Sequence, residues 1–180
     1  MRKALLTAGV LLLLAIVGIA AFLWYIRPEE KLDLSYRNLS VLDKIGEMVR
    51  KRELTVELSD EELGDLVRKA IAGKPQLSDS LRVTGARTEV ENGTLAVHIN
   101  ALAGGFVKAG ATIYAKAEWQ EPNLLITLER GAVKGMAIPA GLLPQQTFVV
   151  PLYDKLPAIV GIRDIELADG KLRILLKLLR

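Results

Sequence analysis

The chain has a single histidine, His98, and no cysteine. Without thiols there is no disulfide, no thiolate metal site and no cysteine nucleophile. A metal site or a Ser-His-Asp arrangement would rest on His98 alone. His98 lies mid-way along an alternating stretch beside Asn100, and the sequence carries no serine elbow, P-loop, dinucleotide fingerprint or zincin motif. Asp60, Glu61 and Glu62 form a tight acidic group. They follow Ser59 at the S-x-x-E spacing of a capping box, where acids face the positive end of a helix dipole. Gly104-Gly105 and the segment GAVKG at 131–135 lack the strand–turn–helix setting of a phosphate cradle. They read as bulges or bends in strands. The expectation is a non-enzyme with no catalytic residue, no cofactor and no metal ligand.

A binding role has more support. Between Phe106 and Gln120, residues Val107, Ala109, Ala111, Ile113, Ala115, Ala117 and Trp119 share one face of a predicted strand. Alanine repeats where a sheet core prefers larger aliphatics, which leaves room above the strand. That room suits either close packing of a helix or an elongated apolar cavity for a lipid chain. With Leu95, Val97 and Ile99 on the preceding strand, these residues are the candidate ligand lining.

The elements that must hold this face follow from local patterns. Leu39, Leu42, Ile45 and Val49 recur at helical spacing, capped by Asn38 or Ser40. Leu54, Val56 and Leu58 alternate as a short strand that runs into the Ser59 cap. Leu63, Leu66, Val67, Ala70 and Ile71 then form the stripe of a second helix, with Gly73 as its C′ residue and Pro75 beyond. Leu81–Glu91 and the strand after Asn92-Gly93 form a hairpin, because both turn residues tolerate positive φ. Pro122-Asn123 turns the long strand back into Leu124–Glu129. Val160–Ala168 and Lys171–Leu179 pair through Asp169-Gly170. The proline-rich stretch Ile138–Leu156 reads as a short helix or a broken apolar segment.

Ahead of all this, Ala4–Ile26 is a run of 23 residues without a charge. A helix crossing a bilayer core of about 30 Å needs roughly 20. The run ends in Phe22-Leu23-Trp24-Tyr25, too bulky for a signal-peptide cleavage site and suited to an interfacial aromatic belt. Of 24 Lys and Arg, only Arg2, Lys3 and Arg27 flank the run, leaving 21 basic against 21 acidic residues beyond it. A neutral domain lacks the basic face that nucleic acid requires. The expected organisation is a cytoplasmic tip and transmembrane anchor at 1–27, a juxtamembrane spacer at 28–37 and one extracytoplasmic domain at 38–180. The expected fold is α+β: an N-terminal transmembrane helix, then a long curved antiparallel sheet packed with two or three helices.

Several segments together resemble a known family. They are LTVELSDEELGDLV at 54–67, ENGTLAVHI at 91–99, GAVKGMAIPAGLL at 131–143 and DKLPAIVGIRDIELADGKLRI at 154–174. With the N-terminal run, their order resembles the YpmS-like family of membrane-anchored bacterial proteins. It is also similar to the tubular lipid-binding superfamily, in which a long curled antiparallel sheet wraps a helix. The resemblance implies no reaction and no residues to carry over. The resulting expectation is a single-pass protein of the cell membrane, N-terminus cytoplasmic, whose outer domain binds a lipid or other long apolar ligand. The alternative is a structural or scaffolding protein of the cell envelope that acts through a protein partner.

Overall fold

In the computed structural model, the backbone is described for residues 2–51, 53–139, 147–151, 156 and 160–179, and the side chains of 2–6, 8, 78, 148, 150 and 151 lie outside that description. Among the described residues the fold is α+β, with three helices and long antiparallel strands. The first helix, α1 (Arg2–Tyr25), has 24 residues. Among the described residues no helix is long and apolar enough to cross a membrane. The stretch of α1 with continuously described side chains, 9–25, covers about 25 Å at 1.5 Å per residue.

Helix α2 (Val41–Arg50) starts at Ser40, whose hydroxyl accepts from the Asp43 N–H, so Ser40 and not Asn38 is the cap. Strand β1 (Thr55–Ser59) enters α3 (Asp60–Gly73) through the full capping box. Ser59 Oγ accepts from Glu62 N–H, and the Glu62 carboxylate accepts from Ser59 N–H. Gly73 is the last helical residue rather than a left-handed C′. The helix stops because Pro75 cannot follow in register.

The remaining strands are β2 (Gln76–Ser78), β3 (Leu81–Glu91), β4 (Thr94–Ala103), β5 (Val107–Gln120), β6 (Asn123–Val133), β7 (Met136–Ala137), β8 (Thr147–Pro151), β9 (Val160–Ala168) and β10 (Lys171–Leu178). Seven of them form one sheet in the order β2-β3-β4-β5-β6-β7, with β8 also on β6. The others form a three-stranded sheet, β1-β10-β9. Two-residue turns at Asn92-Gly93 and Asp169-Gly170 have positive φ at both positions, as their sequences demand. Lys134-Gly135 makes a third such turn, so GAVKG is the tip of a hairpin and not a bend. Within Ile138–Leu156, residues 147–151 are a strand on β6, and residues 140–146 and 152–155 lie outside the described residues.

The two sheets and α2 and α3 enclose the main core. Ile45, Val56, Leu58, Leu63, Leu95, Ala115, Ile162, Ile165, Leu172, Ile174 and Leu176 are buried there together. A smaller cluster holds Val83, Ala86 and Ile99, with Leu34, Ile71, Val97, Ala111 and Ile113 against it.

Candidate functional site

Two concavities stand out, one polar and one apolar. The polar one is made by the segment that leaves α1. Residues 26–33 cross the large sheet as a strap tied to three strands in turn. Gly110 N–H on β5 donates to the Ile26 carbonyl at 2.9 Å, the Asn100 amide on β4 donates to the Glu30 carbonyl at 2.8 Å, and Ala86 N–H on β3 donates to the Asp33 carbonyl at 3.1 Å. Gly85, Asn100 and Gly110 lie opposite one another in the ladder. The row is nearly bare of side chains, and the strap backbone fills it. A Cβ on Gly85 would meet the Leu32 carbonyl carbon at 2.2 Å, and one on Gly110 would meet Pro28 Cα at 2.9 Å. These are close backbone approaches that only glycine permits. The bulge between Val83 and Gly85 brings β3 back into register beside the strap.

Beside the strap lies a recess of about 330 Å³ lined by Arg27, Glu29, Glu30, Arg87, His98, Asn100, Thr112 and Lys134, among others. The adjoining ladder row is Arg87–His98–Thr112. The Thr112 hydroxyl and His98 Nδ1 share a hydrogen bond of 3.0 Å, and His98 Nε2 is 3.5 Å from Glu89 Oε2. Hydroxyl, imidazole and carboxylate thus stand in the order of a nucleophile, a base and its orienting group. Two features weaken that chain. The Nε2–Glu89 separation exceeds an ordinary hydrogen bond. The other oxygen of Glu89 is held by Arg87 in a close ion pair. Burial first, and then the Arg87 charge, hold the imidazole below its ordinary pKa, against the pull of Glu30 and Glu91. His98 is therefore half-buried and neutral at physiological pH, in a mixed-charge recess. Among the described residues no group of acids and histidine is placed to hold a metal ion.

The apolar concavity is a groove of about 360 Å³ between α2, α3 and the small sheet. Leu39, Val41, Leu42, Ile45, Leu66, Leu156, Ile162 and Ile174 line it, with Ser40 and Lys69 as its polar members. Its size falls in the usual range of small-molecule sites, and so does its mostly aliphatic lining.

The predicted lining residues lie elsewhere. Leu95 and Ala115 are buried in the main core, and Val97 and Trp119 pack against that core. Ile99 anchors the smaller cluster with Ala111 and Ile113. Val107, Ala109 and Ala117 are half-buried on the same strand. Ile99 and Ala111 also border the polar recess, and none of the predicted lining residues borders the apolar groove among the described residues. Of the acidic group, Asp60 accepts from Val90 N–H at 2.8 Å, Glu62 pairs with Lys44 at 2.6 Å and Glu61 pairs with Arg37 at 2.7 Å. Each serves the fold.

The sequence reading did not single out Asp65, which is 4% exposed. It accepts from the Arg68 guanidinium at 2.7 Å and from Arg37, through its backbone N–H at 3.2 Å and its Nε at 3.1 Å. The Arg68 hydrogen bond, opposed by burial and aided by Arg37, holds its carboxyl below the usual range. This cluster clamps the strap's continuation onto α3. An acid at 65 between Leu63 and Leu66 was the available signal.

No family model, curated protein or solved structure matches the chain.

Proposed function

We propose that this chain is a single-pass membrane protein whose outer domain binds a lipid acyl chain or a similar long apolar ligand, without covalent chemistry. The observation that carries the ligand reading is the apolar groove beside α2 and α3. Each CH₂ buried in it contributes about 0.8 kcal/mol. The ligand reading thus moves from the β5 face to the α2–α3 groove.

Support for the anchor comes from α1. Its 24 residues make a helix about 36 Å long. Val10, Leu11, Leu12, Leu13, Leu14, Ile16, Val17, Ile19, Phe22 and Trp24 are all well exposed. Over the described side chains 9–25 the helix carries only apolar groups, most of them exposed, which supports a hydrocarbon surround. The basic pair Arg2-Lys3 favours the cytoplasmic side for that end of α1, with the domain beyond its other end extracytoplasmic.

Native mass spectrometry of detergent-extracted protein tests the ligand. The expected result is a co-purifying lipid that is lost in Leu42→Trp, a rim position where added bulk enters the groove and not the core. Protein that never carries lipid, and takes up no fluorescent acyl chain, overturns the reading. A periplasm-active reporter fused after Arg180 tests the topology, and activity only in the cytoplasm overturns it. A second reading, an envelope scaffold with a protein partner, draws on the filled core under Leu95 and Ala115.

A further inference from the structure

The end of the large sheet that meets α1 carries a set of exposed apolar tips. The β4–β5 turn and the β2–β3 turn lie side by side there, since Gly104 N–H donates to the Ser80 carbonyl at 2.8 Å. The β6–β7 turn is set back from these two, level with Gly110 because Ala132 pairs with Thr112, and its Lys134 Nζ is 5.8 Å from the Trp24 ring centre and 5.5 Å from that of Tyr25. The Ile26 carbonyl bonds to Gly110, which is four residues from Phe106, about 13 Å along β5. At these three tips Phe106 is 80% exposed, Met136 62% and Leu77 56%. Large apolar side chains at three neighbouring turns are unusual for a surface in water. Basic groups slightly outnumber acidic ones around them: Arg27, Arg82, Lys108 and Lys134 against Glu29, Glu30 and Asp79, with Glu29 3.8 Å from Lys134.

We infer that this end of the sheet is a second membrane contact, with Phe106, Met136 and Leu77 seated at the headgroup–acyl boundary and the basic residues among anionic headgroups. The inference rests on the proposed insertion of α1, which fixes where the bilayer lies. Side chains of this kind enter such a boundary to about 5–10 Å, and basic neighbours add attraction to anionic lipid. The occupant is lipid because the tips crowd the point where the apolar helix leaves the domain. Three separate turns also present points, not the continuous face that a protein partner would cover. The strap fixes this geometry by tying the helix end to β5, β4 and β3, so the domain does not swing freely beneath its anchor.

The absence of cysteine makes the test direct. Full-length Phe106→Cys, Met136→Cys, Leu77→Cys, Asn92→Cys and Ala15→Cys are labelled one at a time with an environment-sensitive fluorophore. They are then placed in phosphatidylcholine–phosphatidylglycerol vesicles with or without a headgroup-level spin-labelled lipid. The expected result is loss of most fluorescence at 106, 136 and 77, and none at 92, which lies at the opposite end of the sheet. Replacing phosphatidylglycerol with phosphatidylcholine should weaken quenching at the three tips. Blue-shifted emission at Ala15 with no quenching at the tips overturns this inference and leaves the anchor standing. A label at Ala15 that remains water-like overturns the anchor, and the inference with it. Far-UV circular dichroism confirms that each variant is folded.

Discussion

Replacing Gly85 with alanine should loosen the strap without disturbing the sheet beneath it. Gly85 lacks positive φ, so alanine is conformationally permitted, and the atoms nearest the added methyl belong to the Leu32–Asp33 backbone, at 2.2 Å and 2.7 Å. A backbone carbonyl cannot rotate away as a side chain could. Moving it breaks the Ala86–Asp33 bond and strains the Asn100–Glu30 bond two residues away. Each such bond contributes about 1 kcal/mol net, and leaving the buried Asn100 amide unpaired costs about 1–3 kcal/mol more. Alanine recovers about 0.4–1 kcal/mol by restricting the unfolded chain. The expected loss is therefore about 2–3 kcal/mol, or a Tm lower by about 4–12 °C for a domain of this size. Gly110→Ala should cost less, because its nearest contact is 2.9 Å. Gly46→Ala, with nothing within 4 Å on α2, should be neutral or stabilising. Thermal circular dichroism ranks the three. Limited trypsin digestion reports the strap itself, through faster cleavage after Lys31 in Gly85→Ala. Unchanged melting and unchanged cleavage in Gly85→Ala would refute the account of the strap.

Asp65→Asn should destabilise the domain by about 3 kcal/mol, the low end for breaking a buried ion pair, because Arg37 remains in water while Arg68 does not; a urea midpoint measures it, and an unchanged midpoint refutes it. The folded-state pKa of Asp65 is depressed, so its contribution is complete above the usual carboxylate range and is lost as pH falls through the lowered value. For His98 the folded-state pKa is also depressed, but the group is a base. The unfolded chain takes up its proton first, so stability falls as pH drops below about 6.5 toward the lowered value. His98→Gln should flatten that part of the stability–pH curve and leave cellular function near wild type; a null phenotype with normal abundance would instead support a catalytic Thr112–His98–Glu89 chain. Ala115→Leu should cost about 1–3 kcal/mol by overpacking, because Ala115 is 2% exposed and opposite Leu95. Full stability in that variant would reveal open space over β5.

The parts legible from sequence are those whose cause is local. Asn92-Gly93 and Asp169-Gly170 specify positive φ within two residues, so both hairpins stand where they were expected. Ser59 and Glu62 specify a helix start within four. Strand β6 runs further than Leu124–Glu129 because a register shift opposite Tyr114-Ala115 lets it continue to Val133. Nothing local announces such a bulge. The division into two sheets is set by β1 pairing with β10, a contact spanning more than a hundred residues that no periodicity encodes. The alanine face of β5 shows the same limit. Small residues predict close approach of something, and whether that is a helix, a ligand or a second sheet depends on what the chain brings there. Ala115 and Leu95 share a core with Ile162 and Ile165 of β9.

The strap makes the same point for the site. Gly85 and Gly110 are far apart in sequence and individually unremarkable. A glycine inside a strand does signal a close backbone approach, but not whose backbone. Only the ladder register sets both opposite Asn100 and turns three positions into one groove. That groove then fixes where the chain leaving α1 meets β5, and it borders the recess around His98. The register of three strands thus determines how the strap from α1 is held against the sheet.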